Sequence, residues 1–202
     1  MKNIKWAVYF LVFIVGISAS AQFLGKNKSK NPTKDYPQAL VSYDDFKQLV
    51  AEVENHRKAR LVNLDEFLQM SQEENTIILD ARSQDKYELK HIKGAINLPF
   101  TEFTQSNLEK VIPDNNTRIL IYCNNNFGKD PFAFASKVFI PQEFDESKKT
   151  IMLALNIPTY LNLYGYNYKN VYELDELIDL PDPRILFEIS STPKKLTIST
   201  ND

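Results

Sequence analysis

Apolar residues recur along this chain in two rhythms. Between Ser42 and Lys58 they fall at Phe46, Leu49, Val50 and Val53, a helical stripe, with Ser42 and Asp45 spaced as a capping box. Further on they cluster into short runs bounded by turn residues: Arg60–Asn63, Ile77–Leu79, Ile96–Leu98, Ile119–Cys123 and Lys169–Leu174. Runs this short and β-branched predict buried strands. Asp65–Met70, Gln84–Lys90, Phe103–Val111 and Asn156–Tyr164 lie between them with helical spacing, the last with Asn156 as cap and Pro158 in its first turn. Asp175–Leu180 predicts one more short helix. The alternation predicts an α/β fold: a mostly parallel five-stranded sheet with helices on both faces.

Cys123, the single cysteine, ends the most apolar of these runs. Asn124, Asn125, Asn126, Phe127, Gly128 and Lys129 follow as a turn-forming stretch. A cysteine in a loop at the C-terminal edge of a parallel sheet is placed as a nucleophile is placed. The plainer reading is a small buried apolar residue. Loop amides turned toward the sulfur form an anion nest that stabilises the thiolate and binds an anionic substrate, with Lys129 as the nearby cation.

A second stretch narrows the choice. Ile77-Ile78-Leu79-Asp80-Ala81-Arg82 is followed by Tyr87 and then by His91-Ile92-Lys93-Gly94-Ala95-Ile96-Asn97-Leu98-Pro99. With the strand ending on Cys123, and with Gly165-Tyr166 and Lys169–Leu174, this resembles the rhodanese-like domains over residues 60–180. The resemblance implies sulfur transfer. A thiosulfate-type anion gives its outer sulfur to Cys123, and a thiol or cyanide takes it from the persulfide; no cofactor is called for. Cys123 is then the nucleophile and residues 124–129 the substrate nest. Asp80, Arg82 and His91 support the site: Asp80 accepts loop hydrogen bonds, Arg82 pairs with carboxylates and His91 holds its turn. Two departures keep other readings open. No Arg follows Cys123 closely, and residues 124–149 replace a loop that is much shorter in the family. A non-catalytic sulfur carrier, redox sensor or partner-binding module is the alternative. Cys123 and Lys129 also have the spacing of a phosphatase or arsenate-reductase loop, although Lys binds a flat oxyanion less well than Arg. The aromatic content of the insertion predicts a flap beside the thiol, with Phe132, Phe134, Phe139 and Ile140 packed on the domain.

The ends of the chain complete the division. Lys2 and Lys5, the apolar run Trp6–Ile17 and Ala19-Ser20-Ala21 predict a signal peptide over 1–21, periplasmic or secreted export, and no stable membrane anchor after cleavage. Residues 22–41, with four lysines and Pro32 and Pro37, predict a flexible linker; 42–59 are an added N-terminal helix and 181–202 a C-terminal tail. Net charge is −2, which argues against a nucleic-acid partner. One cysteine and two histidines, His56 and His91, are too few for a protein-built zinc site. His56, near the end of the added helix where positive charge suits the dipole, reads as structural or surface.

Overall fold

The computed structural model describes residues 37–141 and 150–190. The chain divides into two units, 1–41 and 42–202. Only 37–41 of the first are described, as irregular chain. The predicted signal peptide, most of the linker, residues 142–149 of the insertion and 191–202 of the tail lie outside the described residues.

The second unit opens with helix α1 (Tyr43–Lys58). It continues through β1 (Leu61–Val62), α2 (Leu64–Met70), β2 (Thr76–Asp80), α3 (Gln84–Leu89), β3 (His91–Ile92), β4 (Ile96–Asn97), α4 (Gln105–Val111) and β5 (Arg118–Tyr122). After Cys123 come a 3-10 turn (Asn124–Asn126), β6 (Phe127–Gly128), β7 (Val138–Phe139), β8 (Ile151–Met152), α5 (Asn156–Gly165), β9 (Val171–Leu174), β10 (Ile178–Asp179) and β11 (Phe187–Glu188). The main sheet runs β1-β9-β5-β2-β4. Every pairing in it is parallel, so the expected α/β sheet of five strands is present.

β5 is central, in register with β2 from Thr76↔Arg118 to Asp80↔Tyr122 and with β9 from Ile119↔Val171. Successive side chains leave a strand on opposite faces, and the two cores sort accordingly. Ile119 and Ile121 join Leu79 and Val171 under Val53 of α1, Leu108 of α4 and Tyr160 and Leu163 of α5. Leu120 and Tyr122 join Ile78 and Leu174 against Leu64 and Phe67 of α2. Each such side chain, fully buried, contributes about 1.5–3 kcal/mol. Helices thus cover both faces, and all five strands end at one edge beside Cys123.

Helix starts follow local chemistry with two differences from expectation. Ser42 Oγ accepts the Asp45 N–H at 3.1 Å, the acceptor half of the expected box. The reciprocal box is at Asn63 and Glu66, which opens α2. Leu155, not Asn156, is the N-cap of α5. Asp175–Leu180 is not helical. The Asp175 N–H is taken by Val62 O and the Leu180 N–H by Gly128 O, while β10 pairs with β6, so sheet partners hold the backbone that a helix would use. In the described part of the C-terminal segment, 181–190, Ile185 is buried and β11 pairs antiparallel with β3. Among the described residues no helix is long and apolar enough to cross a membrane.

Candidate active site around Cys123

The floor of the site is a buried charge cluster at the end of β2. Asp80 accepts the Arg82 N–H at 2.9 Å, the Arg82 guanidinium at 2.6 Å and the Tyr122 hydroxyl at 2.5 Å. The guanidinium also donates to Ala133 O and Lys90 O and lies over the Phe134 ring, 4.6 Å from its centroid. Two fully buried charges are tolerated because almost every hydrogen-bonding position is filled. Burial pushes the Tyr122 hydroxyl well above its ordinary pKa, so it stays a donor to Asp80.

His91 serves its turn. Its Nδ1 meets Tyr87 O at 2.7 Å, its ring stacks on Tyr87 at 3.7 Å between centroids, and its strand pairs with β11. Three residues after His91, Gly94 takes φ +79°, a conformation that explains the glycine in this run. Asn97 Nδ2 ties the turn to Asp80 O and Arg82 O.

Cys123 directly follows β5, on the edge where all strands end, and is only 2% exposed. Its N–H donates to Asn126 Oδ1 at 2.8 Å. Its sulfur accepts the Leu155 N–H at 3.4 Å. The insertion therefore leaves the cysteine turn, runs through β7 and β8, and brings the chain back so that the N-terminus of α5 faces the sulfur. Burial pushes the thiol pKa up; the amides of Leu155 and Asn124 pull it down, with the smaller weight. The expected lowering by a surrounding amide nest is thus reversed, because desolvation outweighs two N–H donors.

The structure redistributes the six residues expected to form that nest. Asn124 is buried, and its Oδ1 has no hydrogen-bond partner among the described residues. Asn125 exchanges two hydrogen bonds with the Lys137 backbone, at 2.6 and 3.2 Å, and so ties the outgoing chain to the turn. Asn126 is a strut: its Oδ1 also accepts from Asn156 Nδ2 at 3.0 Å, and its Nδ2 donates to Leu174 O and Glu176 O. Phe127 and Gly128 belong to β6, with the Phe127 ring packed on Tyr122 and Phe134. Lys129, at φ +61° and with its side chain 67% exposed, pairs with Asp179 at 2.7 Å. The parallel pairing of β6 with β10 sets Gly128 opposite Asp179 and brings the Lys129 ammonium to that carboxylate.

The flap is anchored more sparsely than its composition suggests. Phe134 is buried among Phe127, Phe187 and Arg82. Phe132, Phe139 and Ile140 are exposed. The Lys86 ammonium holds Phe132 O at 2.6 Å and lies over the Phe132 ring, so its exposed face is pinned by a cation.

The sequence did not reveal two parts of the site. Leu155 contributes a backbone N–H, which no side-chain pattern encodes. Glu173, buried on β9, receives both arms of Arg57 from α1, at 2.6 and 2.7 Å. A cleft of about 540 Å³ opens beside the cysteine turn, walled by Asn125, Asn126, Val138, Met152, Asn156 and Glu173 among others.

Comparison with known proteins fits this architecture. A sequence profile of the Rhodanese-like domain matches residues 63–178. The thiosulfate sulfurtransferase PspE of Escherichia coli K12 is 35% identical over 46 residues, covering 23% of this chain and 43% of that protein. This chain thus aligns with less than half the length of that relative. Among the solved structures that align, all at low identity, two serve as examples. The BH2092 protein of Bacillus halodurans is 16% identical with a TM-score of 0.37, covering 61% of this chain and 72% of its own. A rhodanese with anions from E. coli is 21% identical with a TM-score of 0.32, covering 56% and 96%. With the profile spanning more than half of its length, and with the Asp80–Arg82 strand end, the His91–Pro99 turn and Cys123 falling within the match, the chain belongs to the rhodanese-like domain family.

Proposed function

We propose that this chain is a sulfurtransferase whose nucleophile is Cys123. The observation that carries the reading is the placement of Cys123 at the end of central strand β5 with the Leu155 N–H on its sulfur. In the reaction, the Cys123 thiolate attacks the outer sulfur of a thiosulfate-type donor. The sulfur–sulfur bond of the donor breaks, sulfite leaves with the electron pair, and Cys123 holds the persulfide. A thiolate or cyanide then attacks the outer persulfide sulfur and frees the Cys123 thiolate. The Leu155 and Asn124 amides stabilise the anion at both stages. Likeness to a named thiosulfate sulfurtransferase supports the donor class.

A second reading rests on one observation. A thiol this buried, with its pKa raised by burial, suits a sulfur carrier or redox sensor that reacts only when the flap opens. The phosphatase reading loses its cation, because Lys129 is engaged by Asp179. Incubation with thiosulfate followed by intact-mass measurement separates the readings. A sulfurtransferase gains one sulfur, loses it to cyanide, and gains none as Cys123→Ser. A carrier gains sulfur and does not pass it on. No gain by a reduced, alkylatable Cys123 overturns both sulfur transfer and sulfur carriage. Export through residues 1–21 belongs to the same proposal, and mature protein beginning at Gln22 is its test.

A further inference from the structure

Helix α1 precedes the segment that matches the family, yet its last turn is tied to the cysteine. Arg57 grips Glu173 with two hydrogen bonds, and the Glu173 side chain is 4% exposed. Glu173 shares one wall of the cleft beside the cysteine turn with Asn156, and its β9 neighbour Leu174 accepts from Asn126 Nδ2 at 2.8 Å through its backbone oxygen. Asn156 Nδ2 reaches Asn126 Oδ1 at 3.0 Å, the same oxygen that accepts the Cys123 N–H at 2.8 Å. Asn156 is also the neighbour of Leu155, whose N–H is on the sulfur. We propose that Arg57 and Glu173 are positioning residues for Cys123, acting through Asn156 to fix both the Asn126 turn beneath the cysteine and the Leu155 amide on its sulfur. The proposal rests on the sulfurtransferase reading only in taking Cys123 as the reacting group.

The physical case is one of placement. Asn126 Oδ1 sits where two donors from different elements meet, one from the end of β5 and one from the first turn of α5. That junction holds only if α5 keeps its position relative to β9, and Glu173 is the β9 side chain that walls the same cleft as Asn156. Glu173 projects on the same face as Ile121, its register partner, into the layer covered by α1 and α5. Unpaired, a carboxylate buried there would protonate or move toward water. Arg57 keeps it charged and fixed. The charged groups that face this network are Asp175 beside Glu173, and Asp80 and Arg82 beside Cys123. A pair serving only to fasten α1 would lower stability when broken and leave the sulfur unchanged.

The test uses Cys123 as its own reporter, because it is the only cysteine of the chain. The rate of iodoacetamide alkylation is followed across pH in the full chain. Arg57→Ala and Asn156→Ala each slow alkylation at neutral pH by about two- to thirtyfold, the range of coupling carried by such networks, and move the profile to higher pH. Arg57→Lys recovers part of the loss. The double variant Arg57→Ala/Asn156→Ala loses no more than the worse single variant, because the two act in series. Lys58→Ala, which removes only the exposed pair with Glu54, leaves the profile alone. A folded Arg57→Ala protein with the parent profile overturns the proposal, as does an additive double variant. If Arg57→Ala shows no cooperative unfolding transition, Asn156→Ala decides alone, and a parent-like profile there overturns it. Thiosulfate loading of the parent is measured in parallel: failure to load removes the sulfurtransferase reading, while the alkylation profiles still judge the network.

Discussion

Leu155 donates its N–H to the sulfur of Cys123, although 32 positions separate the two residues. The contact is made because the insertion closes on itself. Val138 pairs with Met152 and Phe139 with Ile151, so the outgoing and returning strands run side by side. The chain thus re-enters the domain next to where it left, and the N-terminus of α5 is delivered to the strand end.

Leu155 has φ −79°, which a proline ring accepts, so Leu155→Pro removes one N–H with little change of backbone. A hydrogen bond to a charged acceptor contributes about 1.5–3 kcal/mol, so thiolate formation becomes harder and alkylation at neutral pH slows by about tenfold or more. Leu155→Ala keeps the N–H and serves as the control. Equal rates in the two variants would show that this amide does not stabilise the anion.

Breaking the Asp80–Arg82 pair on one side leaves a buried charge without its partner. Arg82→Met is expected to lower unfolding free energy by about 3–5 kcal/mol, read from the urea midpoint at constant slope. Tyr122→Phe removes one donor to Asp80 and leaves the Ile92 N–H without its acceptor. Its expected cost is smaller, about 1–3 kcal/mol. A loss below 1 kcal/mol for Arg82→Met would place the cluster outside the folding core.

The strands that build the sheet were legible because each is an apolar run with turn residues at its ends, and β2 and β5 are buried on both faces. Asp80, Arg82 and His91 stood out through the motif they share. What escaped was decided by tertiary partners. β10 has two residues, too few for any period to show, and exists because β6 lies beside it. Lys129 has the spacing of a site cation, but the path of β6 takes it to Asp179. Phe132, Phe134, Phe139 and Ile140 look alike in sequence, yet only Phe134 lands over Arg82 and between two aromatic rings.

His56 gives the protein a pH dependence with a definite sign. Burial, and then the charges of Arg60 and Lys169, hold its pKa below the ordinary 6.5. Its Nδ1 meets the Tyr160 hydroxyl at 2.9 Å. The folded state therefore binds a proton less readily than the unfolded chain. The His56 contribution to stability is complete above pH 6.5 and is lost as pH falls below that value toward the lower folded-state pKa. Helix-dipole attraction for a charged ring, expected at this helix end, is outweighed. Urea unfolding between pH 7.5 and about 5 should show declining stability in the parent and a flatter profile in His56→Gln. A rise in stability on acidification, abolished by His56→Gln, would show that the ring is instead charged in the fold.

Access to Cys123 is the remaining question of mechanism, and Asn125 offers a way to measure it. Its side chain accepts from Lys137 N–H and donates to Lys137 O, so one amide fastens the outgoing chain to the cysteine turn. Between Asp130 and Lys137 the rest of that chain is held down by buried Ala133 and Phe134, by Arg82 on Ala133 O, by the Lys90–Asp130 pair and by the Lys86 contacts to Phe132. Asn125→Ala removes the clasp while leaving the Asn126 strut and the Leu155 amide in place. Two thiol reagents of different size then separate access from reactivity. A small one such as iodoacetamide reports mainly on thiolate formation, and a bulky maleimide adds the need for an opening. Asn125→Ala is expected to raise the maleimide rate by about tenfold, the effect of losing roughly 1.4 kcal/mol of closure, with the iodoacetamide rate changed far less. Parallel increases for both reagents would assign Asn125 to the chemistry of the sulfur, and no change in either would mean that the chain from Asp130 to Lys137 does not gate the thiol.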